Sequence, residues 1–314
     1  MSQHYVFIMD PPSTVLVDAD TTFALMLEAQ NRGHRVDHCL VKDLYLRDGR
    51  VFARTSRAQM QRVAGQPLVL SPATDLCLED VDVVFVRKDP PFDSQYLYCT
   101  LLLEHLEGST LVLNRPAGLR RANEKLYACR FPQLMPATLV SSDKSRIKSF
   151  LREVGGRGVI KPLDGAGGSG VMTLTEGDLN LNAIIEATTR EGSRLSMAQA
   201  FLPEVTEGDK RILLLDGEPL GAIMRVPQQG DVRSNIHVGG HVEKAEITAA
   251  DQRIIATLAP ALRADGLYFV GLDVIGGRLT EVNVTSPTGI QQMERLDGKN
   301  YCSQVIAWAE ARVS

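Results

Sequence analysis

The first apolar block, Tyr5–Met9, is unbroken by any polar side chain, as expected for a strand buried on both faces. Asp20 then stands before a run carrying Phe23, Leu25, Met26, Leu27 and Ala29, with Gly33 beyond it. That order predicts a helix capped by the Asp20 carboxylate and stopped by Gly33. Arg35–Leu40 reads as a second strand, and Leu44–Arg54 contains Asp48-Gly49, a hairpin signal. Val81–Val86 is another nearly continuous apolar run. A helix bearing Tyr96, Leu97, Tyr98 and Leu101–Leu103 follows, then a short strand at Leu111–Leu113. Strand and helix signals alternating in this way predict an open, mainly parallel α/β sheet.

The pattern changes at about residue 121, and Arg115-Pro116-Ala117-Gly118 breaks it just before. Helices are expected at Glu124–Arg130, Asp143–Val154 and Asp251–Ala264, with one more closing the chain. Strands are expected at Ala137–Val140, Gly158–Lys161, Val171–Thr175, Ser196–Phe201, Lys210–Leu215 and Leu220–Arg225, and a loop at Val226–His241. This half reads as α+β with antiparallel hairpins, so the domain division is placed at 1–122 and 123–314.

Two short β segments near the end, joined by Gly276-Gly277, carry Asp273, Glu281 and Asn283 among Val, Ile and Leu. Side chains alternate along a strand, so Glu281 and Asn283 share a face. With a two-residue loop Asp273 would face Thr280; with a three-residue loop through Arg278 it would face Glu281. Oxygen donors converging there would suit Mg²⁺, which is commonly held by one or two carboxylates plus substrate phosphates. The metal reading therefore predicts a three-residue Gly276-Gly277-Arg278 turn; a plain solvated hairpin does not.

Composition narrows the class. The 314 residues suffice for two or three domains. A net charge of −4 speaks against general nucleic-acid binding. No apolar run approaches the roughly 20 residues of a membrane span, and the N-terminus lacks a signal-peptide pattern. Five scattered cysteines read as reduced thiols of a cytoplasmic protein rather than a disulfide or zinc framework, and the histidines form no ligand spacing.

The loop Asp164-Gly165-Ala166-Gly167-Gly168-Ser169-Gly170 formally matches G-x-G-x-x-G. A dinucleotide fingerprint must open a helix, whereas Val171–Thr175 has β character, and the Lys-Ser/Thr of a Walker A loop is missing. A glycine loop between antiparallel strands can instead fold over phosphates and offer them backbone N–H groups. Lys125 and Lys161 are candidate phosphate ligands, and Arg225 interrupts an apolar strand. Arg87 and Lys88 follow the strand Val81–Val86, at the strand end where open α/β sheets bind ligands.

The segments RKDPPFD (87–93), NEKL (123–126), IKPLDGAGGSGV (160–171), MAQAFLPEVTEGDKR (197–211) and GLDVIGGRLTEVNVTSPTG (271–289), in this order, resemble the prokaryotic glutathione synthetases. The resemblance covers nearly the whole chain and implies an ATP-grasp fold behind an N-terminal open α/β domain, the ATP-grasp part dividing into 123–203 and 204–314. It implies ATP-dependent ligation of γ-glutamylcysteine and glycine through an acyl phosphate. Lys125, Lys161 and the loop Gly165, Gly167, Gly168, Ser169 and Gly170 would hold phosphates. Gln199, Ala200, Phe201 and Leu202 would meet adenine, and Asp209 the ribose. Asp273, Glu281 and Asn283 would hold Mg²⁺, or Mn²⁺. Arg211 and Arg225 would face the transferring group, and Arg87, Asn235, Ser286, Pro287 and Thr288 the substrate. Gln228–Gly240 would shield the intermediate, and a homotetramer is expected. Asp18 departs from the basic residue that some members carry near that position, and the stretch after Gly289 is less family-like. Another ATP-grasp carboxylate–amine ligase, or a nucleotide-binding protein without turnover, would share part of this pattern.

Overall fold

A computed structural model describes residues 2–227 and 241–313. In chain order the first part holds β1 (His4–Ile8), α1 (Thr21–Asn31), β2 (Arg35–Cys39), β3 (Leu44–Arg47), β4 (Arg50–Met60), β5 (Leu68–Leu70), β6 (Thr74–Cys77), β7 (Val83–Val86), α2 (Ser94–Leu103), β8 (Leu111–Leu113) and α3 (Pro116–Arg121). Strands β2, β1, β7 and β8 run parallel, and β4 joins β2 antiparallel. The apolar runs behave as expected: Tyr5–Ile8 and Val83–Val86 are buried on both faces. Asp20 caps α1 by accepting from Phe23 N at 2.7 Å. Asp48 and Gly49 take positive φ in the β3–β4 turn, as its type I′ geometry demands.

The second part holds β9 (Thr138–Ser141), α4 (Lys144–Glu153), β10 (Arg157–Pro162), β11 (Met172–Thr175), α5 (Leu181–Thr189), β12 (Ser196–Ala200), β13 (Asp209–Leu215), β14 (Glu218–Val226), β15 (His241–Lys244), α6 (Ala249–Ala264), β16 (Phe269–Ile275), β17 (Arg278–Asn283), α7 (Ile290–Asp297) and α8 (Tyr301–Glu310). They form two antiparallel sheets, ordered β11-β10-β12-β9 and β15-β14-β13-β16-β17. The glycine loop joins β10 to the antiparallel β11, so no helix follows it.

Three expectations about helices fail. Glu124–Arg130 is no α-helix; it is a turn leading to a single 3₁₀ turn at Ala128–Arg130. The Asn123 side chain accepts from Lys125 N (3.1 Å) and Leu126 N (3.0 Å), which favours the turn over the helix. The break at Arg115–Gly118 is instead the start of α3, with Pro116 in its first turn where its missing N–H costs nothing. The closing helix is two helices, α7 ending at Gly298 with φ 64°.

The hairpin corrects the expected turn. Ile275 pairs with Arg278, so the turn is the two residues Gly276-Gly277, not three. The register then slips: Val274 pairs with Leu279 but Asp273 with Glu281, leaving Thr280 as the extra residue of a β-bulge. Thr280 Oγ1 donates to the Asp273 carbonyl at 3.1 Å. Asp273 and Glu281 do face each other, through a bulge rather than a longer loop.

Residues past Gly289 complete the core of the first part. Tyr5, Phe7 and Phe85 share one apolar cluster with Phe269 and Ile223 of the third sheet and with Ile290, Met293, Val305 and Ile306. Asn114, at the end of β8, clasps the third sheet: its Nδ2 donates to the Phe269 and Val284 carbonyls (2.8 Å each) and its Oδ1 accepts from Phe269 N (2.8 Å).

Candidate active site

Cross-strand neighbours on one face of the third sheet form a row of charges. Asp209 on β13 lies opposite Arg225 on β14, Arg211 on β13 opposite Asp273 on β16, and Asp273 opposite Glu281 on β17. Arg211 grips Asp273 with two bonds, Nε–Oδ1 at 2.5 Å and Nη2–Oδ2 at 3.0 Å. Arg225 Nη2 bonds Asp273 Oδ2 at 2.9 Å and also reaches Asp209. Alternation sends Lys210 to the other face, where it pairs with Asp251 at 2.6 Å.

Burial and neighbours set the titration of this row. Burial opposes charge on Asp273, yet Arg211 and Arg225 hold its carboxyl well below the ordinary range. Burial also works against the Arg225 cation, but Asp209 and then Asp273 hold it above its ordinary value. For Asp209 burial wins and its carboxyl is pushed up to about 6, with Arg225 opposing and Asp273 adding to the rise.

Lys125 approaches from the 123–125 turn. Its Nζ donates to Glu281 Oε1 (2.7 Å) and to the Gly165 carbonyl (2.6 Å), linking the glycine loop to the hairpin. Lys161, at the end of β10, makes no side-chain hydrogen bond among the described residues; burial lowers its pKa and Glu281 pulls the other way. Lys125, Lys161, Gly165, Gly167, Gly168 and Ser169 line one cavity with Asp209, Asp273 and Glu281. Gly170 sits beside it, so close to Pro162 that a Cβ would stand 2.9 Å from the ring. Val171, Val205 and Ile275 supply apolar wall, and Thr280 also lines the cavity. Asn283 shares the Glu281 face, its Nδ2 donating to the Gly271 carbonyl at 3.3 Å.

The remaining expected residues stand outside this cavity. Gln199 is buried and its Nε2 donates to Thr138 Oγ1 at 3.0 Å. The Arg157 guanidinium lies 3.8 Å over the Phe201 ring. Arg87 is buried between Thr22 Oγ1 (3.0 Å) and the Pro287 carbonyl (2.9 Å), and its Nη1 has no partner among the described residues; burial lowers its pKa. Lys88 does not join it and pairs with Asp10 at 2.9 Å. Ser286 donates to the Arg87 carbonyl (3.4 Å), and the Thr288 carbonyl accepts from Arg211 Nη1 (3.2 Å). The 286–288 segment thus runs from Arg87 to Arg211. Asn235 and the loop 228–240 lie outside the described residues. Asp18 is exposed and faces Arg62 at 3.4 Å, while Arg295 Nη1 donates to its carbonyl at 2.6 Å.

Sequence reasoning missed Glu124, Thr285 and the apolar wall. Glu124 accepts from Thr285 Oγ1 at 2.9 Å, and burial, with the nearby Glu281 charge, pushes its carboxyl up to about 7. Glu124 sits inside NEKL beside the lysine that drew attention, so the motif pointed at it. Val205 and Ile275 carry no local mark that separates a cleft wall from a core.

Oxygen donors, cations and a glycine loop converging in one cavity suit phosphate chemistry. Sequence comparison decides the lineage. The profile of the prokaryotic glutathione synthetase N-terminal domain matches residues 4–120, and that of the family's ATP-grasp domain residues 124–298. The chain belongs to the prokaryotic glutathione synthetase family. It is 48% identical to the glutathione synthetase of Thermosynechococcus vestitus, the match covering 96% of this chain and 98% of the relative. For the Synechocystis enzyme the identity is 46%, with coverage of 97% and 98%, and for that of Yersinia pestis 46%, with 91% and 90%. Among solved structures, the ATP-grasp ligase PsnB superposes with a TM-score of 0.65 at 17% identity, over 100% of both chains. D-cycloserine synthetase DcsG gives 0.66 at 16%, over 99% of this chain and 100% of that one. These two establish the ATP-grasp fold. The chain is accordingly an ATP-dependent carbon–nitrogen ligase by family. No helix among the described residues is long and apolar enough to cross a membrane.

Proposed function

We propose that this enzyme joins γ-glutamylcysteine to glycine at the expense of ATP, giving glutathione, ADP and phosphate. The observation that carries this reading is the convergence of Lys125, Lys161, Arg211 and Arg225 on Asp273 and Glu281 under a glycine loop, within a chain matched over nearly all its length by named glutathione synthetases.

In this reading the cysteinyl carboxylate attacks the γ-phosphorus, ADP leaves, and the amine of glycine then attacks the acyl carbon as phosphate departs. No side chain need act as nucleophile; the protein positions groups and neutralises charge. Lys125 and Lys161 take phosphate oxygens and Gly165–Gly170 covers them. The backbone of Gln199, Ala200, Phe201 and Leu202 meets adenine, and Asp209 meets the ribose. Arg211 and Arg225 stabilise the transferring phosphoryl group. Arg87, Ser286, Pro287, Thr288 and Asn235 hold the peptide substrate. Asp273, Glu281 and Asn283 offer two carboxylates and an amide oxygen, hard donors that fit Mg²⁺ or Mn²⁺. That metal would neutralise phosphate charge when bound.

Residues 1–122 would then serve the peptide substrate, and 123–203 and 204–314 would enclose the nucleotide. The five cysteines are free and fit a reducing cytoplasm. We further propose a homotetramer, which light scattering at several concentrations tests. The decisive assay is phosphate release from ATP with γ-glutamylcysteine and glycine omitted in turn. Sustained release should need both; release that needs neither would sink the synthetase reading.

A further inference from the structure

Asn123, Glu124 and Lys125 are consecutive, yet together they tie down both sheets that face the cleft. Asn123 Nδ2 donates to the Leu163 carbonyl at 3.0 Å, just before the glycine loop. Its Oδ1 closes the turn on Lys125 N and Leu126 N. Glu124 is fixed once to β17 and once to the segment just past it: its carbonyl accepts from Val282 N and its Oε1 from Thr285 Oγ1, both at 2.9 Å. Lys125 Nζ then stands between the Gly165 carbonyl and Glu281 Oε1.

We infer that Glu124 is a positioning residue, pinning the 123–125 turn to β17 so that the Lys125 ammonium stands at a fixed place between the glycine loop and the Asp273–Glu281 hairpin. The inference rests on the proposed reading of this cleft as the nucleotide site. A lysine head on a flexible four-carbon stem is only as well placed as the backbone that carries it. What the tether uses of Glu124 is a main-chain carbonyl and one acceptor oxygen. Glutamine keeps both, alanine loses the second, and the nearly isosteric Thr285→Val removes the donor from the other side.

The test measures Mg·ADP binding by calorimetry on the whole purified chain, with steady-state KM values for ATP and γ-glutamylcysteine. Glu124→Ala and Thr285→Val should each weaken Mg·ADP binding about tenfold and raise the ATP KM in step, as expected for one lost buried hydrogen bond. The KM for γ-glutamylcysteine should stay within about twofold, since the peptide does not depend on the Lys125 head. Glu124→Gln should restore nucleotide binding. Equal losses in Glu124→Gln and Glu124→Ala would assign the effect to charge and overturn the tether. Wild-type binding in Thr285→Val would also overturn it, and that variant decides the matter if Glu124→Ala does not fold. If the wild-type chain binds no Mg·ADP, the nucleotide cleft itself falls, and this inference with it.

Discussion

Among individual residues, the ion pairs already formed in the cleft matter most. Asp273 is held by two arginines and Glu281 by Lys125, so the proposed metal donors are engaged by the cations that phosphate would otherwise draw away. Metal and nucleotide should therefore bind cooperatively. Titration with Mn²⁺, followed by its electron spin resonance, should show binding at least about tenfold weaker without ADP than with it; equal affinities would refute the coupling. Arg225→Ala should lower kcat by about a hundredfold or more. Nucleotide affinity should change far less, and an unchanged rate would remove Arg225 from the transfer step. Glu124 gives a pH signature. Its folded pKa of about 7 lies above the ordinary carboxyl value near 4.5, so between those values the folded chain holds the proton that the unfolded chain has released. Stability is thus lost as pH rises through that window. Glu124→Gln should stabilise the ligand-free protein at pH 8 by on the order of 1–3 kcal/mol and bring no gain below about pH 4, checked by urea unfolding at both.

At the scale of elements, the hairpin shows what the sequence can and cannot display. Asp273 and Glu281 face each other only if the residues between them include one beyond a regular two-residue turn. Counting along the chain reveals that extra residue but not its position. A three-residue Gly276-Gly277-Arg278 turn is the economical expectation, yet Thr280 bonding back to the Asp273 carbonyl makes the bulge the better place. Thr280→Val should cost about 1 kcal/mol by chemical denaturation and weaken Mn²⁺ binding in the presence of ADP; an unchanged affinity would show that the bulge holds without its hydroxyl. Strands β1 and β7 were legible because their apolar runs are unbroken, whereas β6 and the far half of β4 carry mixed polar sequence with no such mark. The Glu124–Arg130 turn was not, because the Asn123 side chain competes locally with helix formation and apolar spacing does not record that contest.

For the molecule as a whole, the C-terminal helices belong to the same core as the first strand. Ile306 is fully buried in the cluster with Tyr5 and Phe7. Ile306→Ala should lower stability by about 2–5 kcal/mol, and the loss should appear in one unfolding transition rather than in a detached C-terminal step. Calorimetry distinguishes the two. Strand β17 ends the third sheet, and the outer edge of such a strand is a ready template for another chain. Here the Glu124 carbonyl takes the Val282 N–H, so the turn that carries the lysine also covers one donor of that edge. Loosening the turn exposes a strand, and its first symptom would be self-association that grows with protein concentration.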